Sequence, residues 1–388
     1  MQPGDTLLIM DGTYYQTIQP TVEGVEGKPI TIKAVNDGKV TIDAQGKGYA
    51  MLLGDTWPGP IDSWFVVEGI IVRNGYEAAL KIKGTNIVVR RVSAYDASTD
   101  QNSAVVAVTD AANVLLEDLL IAGTGRKELL IFNSQHVTAR RVYTKWTRWD
   151  GRIFCAAGWP AGNGVNPYSS DYITVENAIA EGPMADAAFG FTNQSDTDPA
   201  YGLGVYGSMA LNAGMNEDGT VHVYPWVQEG NNCNPTTAPP QPRESPDYGV
   251  RIGFRALGQG PIYGTWRDVY SYGAAQLCWG VVRPYGTGLT NSTVDHITCN
   301  NNARDPGGMH ISERGKQLAA DSGATITNAY SPADGLYGEG ARLTRRYVDG
   351  VLTDAPLWPW PMDGRALAEL GYTITARVAP HVQFRNYP

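Results

Sequence analysis

Cysteine, cationic surplus and long apolar runs are all scarce in this chain. Four cysteines in 388 residues are too few for a disulfide scaffold. Cys299 and Cys278 fall at apolar positions and read as buried core thiols. Cys155 and Cys233 lie in irregular stretches, where a disulfide between them stays open. No Cys/His cluster has zinc-ligand spacing, so no metal site is expected from them. No apolar run reaches the roughly 18 residues of a membrane-spanning helix. No hydrophobic leader is visible, and Met1 abuts the first motif directly, which points to a processed or trimmed start. Charged residues make up only 18%, and the formal net charge is −9. That excludes general nucleic-acid binding, which needs a basic footprint. Neither a P-loop nor a dinucleotide fingerprint occurs.

Glycine, proline and aromatics are plentiful: 45 Gly, 24 Pro, 10 Trp and 21 Tyr. Many turns and many rings, with little charge, suit an extracellular or cell-surface protein that faces carbohydrate. The chain also repeats itself. Phe65-Val66-Val67-Glu68-Gly69-Ile70 aligns with Ile87-Val88-Val89-Arg90-Arg91-Val92. The pattern returns at Val114, Val137 and Ile173, and more loosely at Gly264, Ser292 and Ala324. The first four spacings are 22, 27, 23 and 36 residues. A degenerate unit of this period marks a solenoid. The first, third, sixth and eighth positions of each copy are apolar or small, as in Ile87, Val89, Val92 and Ala94. Alternation predicts a strand with one buried face, and the slip from third to sixth predicts a corner and then a second strand. Such units bury their apolar face only by stacking on neighbours.

Corner positions give an independent check. The fourth reads Glu68, Arg90, Glu117, Arg140, Glu176, and the fifth reads Gly69, Arg91, Asp118, Arg141, Asn177. Stacked in register about 4.8 Å apart, the fourth column alternates in sign, which is the favourable arrangement. These charges, and His296 in the same column, therefore read as ladder residues. They do not read as catalysts.

The opening residues Pro3-Gly4-Asp5-Thr6-Leu7, then Asp11-Gly12-Thr13-Tyr14 and Gly27-Lys28-Pro29-Ile30-Thr31-Ile32, resemble the first coil of chondroitinase-B-like and alginate-lyase-like polysaccharide lyases. The rhythm of the whole chain is similar to the pectate-lyase-like superfamily. The resemblance implies an all-β, right-handed parallel β-helix in one domain (1–388). Within it, coils are expected over 1–195, a loop-rich insertion over 196–247, further coils over 248–340 and a C-terminal cap over 341–388. Trp358, Pro359, Trp360 and Pro361 are expected to cover the last coil, with a short helix at Asp363 to Leu370.

Chemistry concentrates in Gly125 to Arg152, where seven basic residues face two acidic ones. Lyases of acidic polysaccharides need a base for the proton alpha to the uronate carboxyl, a cation to neutralise that carboxylate and an acid for the leaving oxygen. Lys145, Arg148 and Asp150 are the expected catalytic residues. Trp146, Trp149, Arg126, Lys127 and Arg152 are the expected substrate contacts, on a groove walled by the 196–247 region. A hydrolase instead needs two carboxylates about 5 Å or about 6.5–9.5 Å apart, and Asp186, Asp196 and Asp198 are the candidates. Asp196 and Asp198 read equally as turn residues or calcium ligands, which makes Ca2+ the one cofactor left open. His310, Glu313 and Arg314 form a weaker cluster. Sequons at Asn193 and Asn291 permit glycosylation.

The paired-Asp and GHG motifs of polygalacturonase-like hydrolases are missing, as are the RxPxxR of pectate lyases and the GDFIFG of pectin methylesterases. Two functions remain. One is a polysaccharide-cleaving enzyme, lyase ahead of hydrolase. The other is a non-catalytic surface protein such as an adhesin, tailspike or filament subunit, with a homo-oligomer open in either case.

Overall fold

The computed structural model describes residues 1–54, 63–98, 102–147, 162–182, 187–193, 195, 198–215, 252–258, 260–274, 277–282, 289–300, 320–321, 323–330 and 343–379. The chain is a parallel β-helix. Each coil contributes a strand to a first face, bends, and contributes one to a second face. The first face stacks Thr6–Ile9 on Ile30–Ala34 and that on Phe65–Glu68. It continues through Ile87, Val114, Val137 and onward to Ala324. The second face stacks Gly12–Tyr14, Val40–Asp43 and Ile70–Gly75 in the same way.

The bend between these faces explains the fifth position of the repeat. Gly69, Arg91, Asp118, Arg141, Asn177, Gly207, Asp268 and His296 all have positive φ, between 47° and 79°. A single left-handed residue turns the strand while keeping every coil in register. Glycine takes that conformation freely, whereas a side chain pays a steric penalty that needs outside support. The support is the ladder. Glu68 accepts from Lys33 and pairs with Arg90, each at 3.1 Å. Arg141 pairs with Asp118 and Glu117 at 2.6 Å, Arg140 with Glu117 at 2.9 Å, and Arg91 with Asp37 at 2.5 Å. Against the opposing pull of burial, the Lys33 ammonium and Arg90 hold the Glu68 carboxyl below its usual range, and Arg141 and Arg140 do the same for Glu117. His296 lies in this column with Nδ1 3.0 Å from Asp295, as expected of a ladder residue.

A third face was not visible in the repeat. Tyr49–Leu53, the start of Ala78–Arg90, the start of Ala104–Gly123, Lys127–Phe132, Asn163–Tyr168, Ala187–Asn193, Ile252–Gly258 and Leu277–Val282 stack in parallel register. Its strands break the alternation near their start, where Ala79 and Leu80 both face the core. That irregularity hid it from a period-two search. The core is one continuous column of inward residues, in which Phe189 stacks on Phe254 at 4.8 Å and Trp266 meets Trp279 edge-on at 5.6 Å.

Two expectations are corrected here. Cys278 and Cys299 are not thiols but a disulfide, S–S 2.12 Å. Cys278 is inward on the third face and Cys299 inward on the second face of the next coil, so the two point at one another across the core. Cys155 and Cys233 lie outside the described residues.

The second correction concerns Trp358 and Trp360, which pack along the outer side of the second face and not over the last coil. On the second face, five successive coils present Leu120, Tyr143, Ile179, Met209 and Tyr270 outward, in register. This apolar stripe needs cover. Leu343, Leu357, Trp360, Met362, Ala366, Ile374 and Val378 supply it. The tail therefore runs lengthwise, back toward the first coils. Tyr347 hydrogen-bonds to Asp268, the Tyr347 N–H donates to Asn177 Oδ1 at 2.6 Å, and the Gly350 N–H donates to Glu176 at 2.5 Å. Helix α1 (Asp363–Leu370) lies where expected, and α2 (Ile374–Val378) follows it. From α1, Arg365 reaches Asp37 and Ser93 at the far end.

Candidate functional site

The corner between the second and third faces gathers the long departures of the chain. The polypeptide leaves the second face at Trp146 and begins the third at Asn163. It leaves again after Met215 and rejoins at Ile252. The stretch expected to be insertion thus begins later than 196, because Gly204–Tyr206 and Met209–Leu211 are regular coil strands. Arg148, Trp149, Asp150, Arg152, Asp186 and Asp196 lie outside the described residues, as do His310, Glu313 and Arg314.

Three of the expected site residues, Arg126, Lys127 and Trp146, lie at this corner. The Gly162 N–H donates to Arg126 O at 2.6 Å, and the Thr147 N–H donates to Gly123 O at 3.1 Å. These bonds tie both ends of the departing segment to one coil. Arg126 Nη1 donates to Asn102 Oδ1 at 2.5 Å. Lys127 is buried, with Nζ 5.7 Å from the centre of the Tyr168 ring.

Trp146 contradicts its expected role. It is 2% exposed, packs in the core, and its Nε1 donates to Gly125 O at 3.0 Å. A ring with no free face cannot stack on a sugar.

Lys145 lies on the outer side of the second face, beneath the tail. It is 8% exposed with Nζ 5.0 Å over the Tyr372 ring. Beside it, Glu181 accepts from Arg377 Nε at 2.7 Å and from the Tyr143 hydroxyl at 2.8 Å. Burial, reinforced by the Glu181 charge, pushes the Tyr143 phenol well above its usual range. Asp198 is not brought to this corner. It sits in an exposed turn after the third face, its N–H donating to Ser195 Oγ at 2.9 Å and its carbonyl accepting from Asn193. Asn193 itself is 1% exposed, so the folded chain offers no acceptor at that sequon.

The outer side of the third face holds polar residues that the repeat did not single out. In register, Lys127 lies beside Asn163, and Asn166, Gly190 and Arg255 form the next column. Asn166 Nδ2 donates to Gly190 O and, at 3.3 Å, to Thr192 Oγ1, which also accepts from Arg255 Nη2 at 2.8 Å. Gly190 matters because a Cβ there would collide with Asn163 Nδ2 and lie 3.3 Å from Arg255 Nη2. Asn163 Nδ2 is buried without a hydrogen-bond partner. Lys127 and Arg255 lie on the same floor. An anionic oxygen would satisfy the Asn163 amide. No sequence signal marked these residues beyond their polarity within apolar strands.

Below the corner, Glu128 is fully buried and neither carboxylate oxygen has a partner. Burial first, and the nearby Asp96 charge second, push its carboxyl well above the usual carboxylate range. Among the described residues no group of three His, Cys, Asp or Glu side chains converges to hold a metal ion.

The family model of chondroitinase B matches residues 1–136. That stretch contains Arg126, Lys127 and Glu128, and ends one coil short of Asn163. No curated protein sequence matches the chain. Among solved structures, an alginate lyase from Paenibacillus sp. str. FPU-7 is 12% identical with a TM-score of 0.44, over 76% of this chain and 89% of that one. Pectate lyase Pel9A is 14% identical with a TM-score of 0.36, over 56% of this chain and 63% of its own length. A mannuronic acid specific polysaccharide family 6 lyase from human gut microbiota is 14% identical with a TM-score of 0.38, over 78% and 71%. Identities this low leave activity to be argued from the residues.

Proposed function

We propose that this chain is a polysaccharide lyase that acts on an acidic glycan along the corner between its second and third faces. The observation that carries the reading is the buried polar floor of Lys127, Asn163, Asn166 and Arg255, with the Asn163 amide unpartnered, beside coils that match the chondroitinase B family model. In β-elimination the carboxylate of a uronic acid must be neutralised before its alpha proton can leave. The Lys127 and Arg255 cations and the Asn163 amide supply that neutralisation. Arg126 binds the neighbouring acidic sugar. Lys145, Arg148 and Asp150 are assigned the proton transfers. Lys145 serves only when the Tyr372 ring moves off it. The buried Cys278–Cys299 disulfide supports an oxidising, extracellular setting. No helix among the described residues is long and apolar enough to cross a membrane.

The seat of Lys145 under Tyr372 favours a second reading, in which the solenoid holds glycan without cutting it, alone or as a homo-oligomer. One experiment separates the two. Purified protein is incubated with acidic and neutral polysaccharides, with and without calcium. Ultraviolet absorbance of the unsaturated product and reducing ends are followed together. Both signals rising, and both lost in Lys127→Ala, are the expected result. Reducing ends alone would move the assignment to hydrolysis and to Asp186 and Asp196. No product from any glycan would overturn the enzyme reading.

A further inference from the structure

The three faces of the solenoid differ in the sign of the charge they turn outward. The first face alternates sign up its fourth column. The second sets Asp43 beside Arg73 and Lys145 beside Glu181. The third face does not mix. Its described strands hold four cations, Lys81, Lys83, Lys127 and Arg255, and one carboxylate, Glu128. Glu128 lies in the column of Val105, a core residue, and so faces inward. Glu77 and Asp110 flank the face at its two edges, where Glu77 accepts from the Tyr49 hydroxyl and Asp110 from Asn133 Nδ2 at 2.7 Å. Outward charge on these strands is therefore of one sign, on a chain whose net charge is −9. Like charges gathered on one sheet face repel one another. An anionic ligand would recover that cost.

Register gives the charge a direction. Lys81, Ala107, Leu130, Asn166, Gly190 and Arg255 form one column on the outer side. Lys81 and Arg255 are thus five coil spacings apart, about 24 Å along the solenoid axis. No residue between them in that column is charged. Lys83 follows Lys81 by two residues on the same side of its strand, and Lys127 begins the strand that carries Leu130. Lys127 and Arg255 are 6% and 5% exposed, whereas Lys81 and Lys83 are half-buried. A small anion seated on the Asn163 amide would use only the buried end. A chain with acidic groups at intervals, laid along the axis, meets cations at both ends of the column.

We infer that the outer side of the third face is a track for a polyanionic glycan lying along the solenoid axis, with Lys81 and Lys83 forming a distal subsite for an acidic group outside the cleavage site. The track rests on the acidic-glycan reading for its ligand class but not on cleavage. Lys81 and Lys83, being the more exposed pair, would meet the polymer first and steer it toward the floor at Lys127.

The test is affinity electrophoresis through gels containing alginate, chondroitin sulfate or a neutral galactomannan, at low and high salt. Wild-type protein should be retarded by an acidic polymer and not by galactomannan, and less so at high salt. Lys81→Ala/Lys83→Ala should bind the acidic polymer roughly fivefold more weakly at low salt, the loss of two partly exposed ion pairs. Lys81→Arg/Lys83→Arg should keep most of the binding, which separates charge from packing. Lys33→Ala/Lys39→Ala removes the same charge from the first face and its bend, and should bind as wild type. All variants should keep the wild-type circular dichroism. Unsaturated product is assayed on the same proteins. No product, with the Lys81/Lys83 effect present, would sink the lyase and leave the track standing. Equal retardation of wild type and Lys81→Ala/Lys83→Ala would overturn the track whether or not product forms. So would an equal loss in Lys33→Ala/Lys39→Ala, or no retardation of the wild type by either acidic polymer.

Discussion

Arg365 is the pin that fixes the tail to the far end of the solenoid, and its removal has a calculable cost. The side chain is 7% exposed. Nε donates to Glu369 Oε1 at 2.7 Å. Nη1 donates to Asp37 Oδ1 at 2.9 Å and to Arg91 O at 3.0 Å. Nη2 donates to Ser93 Oγ at 2.9 Å and to Ile70 O at 3.4 Å. Breaking a buried ion pair from one side costs about 3–5 kcal/mol. Two features reduce that figure. Asp37 is 38% exposed on its side chain and keeps Arg91 at 2.5 Å, so its share is screened. Glu369 keeps the Tyr95 hydroxyl at 2.6 Å. What remains is the Glu369 pair, three stranded acceptors and the lost packing of the stem over Gly38, whose Cβ position is 2.7 Å from Arg365 Cδ. Arg365→Ala should therefore destabilise by about 3 kcal/mol. Arg365→Lys, with a charge but no fork, should lose about half of that. Urea denaturation gives the global figure. Hydrogen exchange gives the local one, and residues 363–378 should lose protection while the ladder coils keep theirs. The tail's buried Trp360, Met362, Ile374 and Val378 should keep it attached on average. A change below about 0.5 kcal/mol, with protection in the tail intact, would refute the idea that the pin holds it.

Other consequences are more briefly stated. Glu128 binds its proton more tightly folded than unfolded, so stability is greatest below pH 4.5 for this group and falls as pH rises, by about 1.4 kcal/mol per unit until the folded pKa is passed. Glu128→Gln should flatten that slope in melts between about pH 4.5 and 7 and stabilise the protein at neutral pH. Glu117 behaves oppositely. Its pKa is depressed, so the ladder's contribution is present above the usual carboxylate range and lost as pH falls through the folded value, a trend Glu117→Gln should weaken. Replacing both Cys278 and Cys299 by Ala opens a link across 21 residues and should cost about 3 kcal/mol in denaturant unfolding. Trp360→Ala, at 2% exposure, should cost about 3–5 kcal/mol by the same measurement; a loss under 1 kcal/mol would mean that the stripe beneath it is not buried by the tail.

The candidate site was legible only where it is local. Arg126, Lys127, Lys145 and Trp146 lie near one another because one coil separates them. Their roles were not legible. A tryptophan beside basic residues reads as a sugar platform until the coil geometry turns it inward. Asn163, Asn166 and Arg255 carried no pattern of their own, because their meaning comes from stacking in neighbouring coils.

What the sequence determined by itself is the part of the fold that repeats. Inward apolar positions, alternating charges and a corner between the third and sixth positions are each set by short-range sterics and nearest-neighbour stacking, so they leave a periodic trace. The tertiary structure alone decided the rest: the third face, the Cys278–Cys299 bond, the tail along the second face and the corner where the departing segments meet. Each of these joins residues far apart in the chain and occurs once. Contacts made once between distant segments have no period, and only the closed coil brings their partners together.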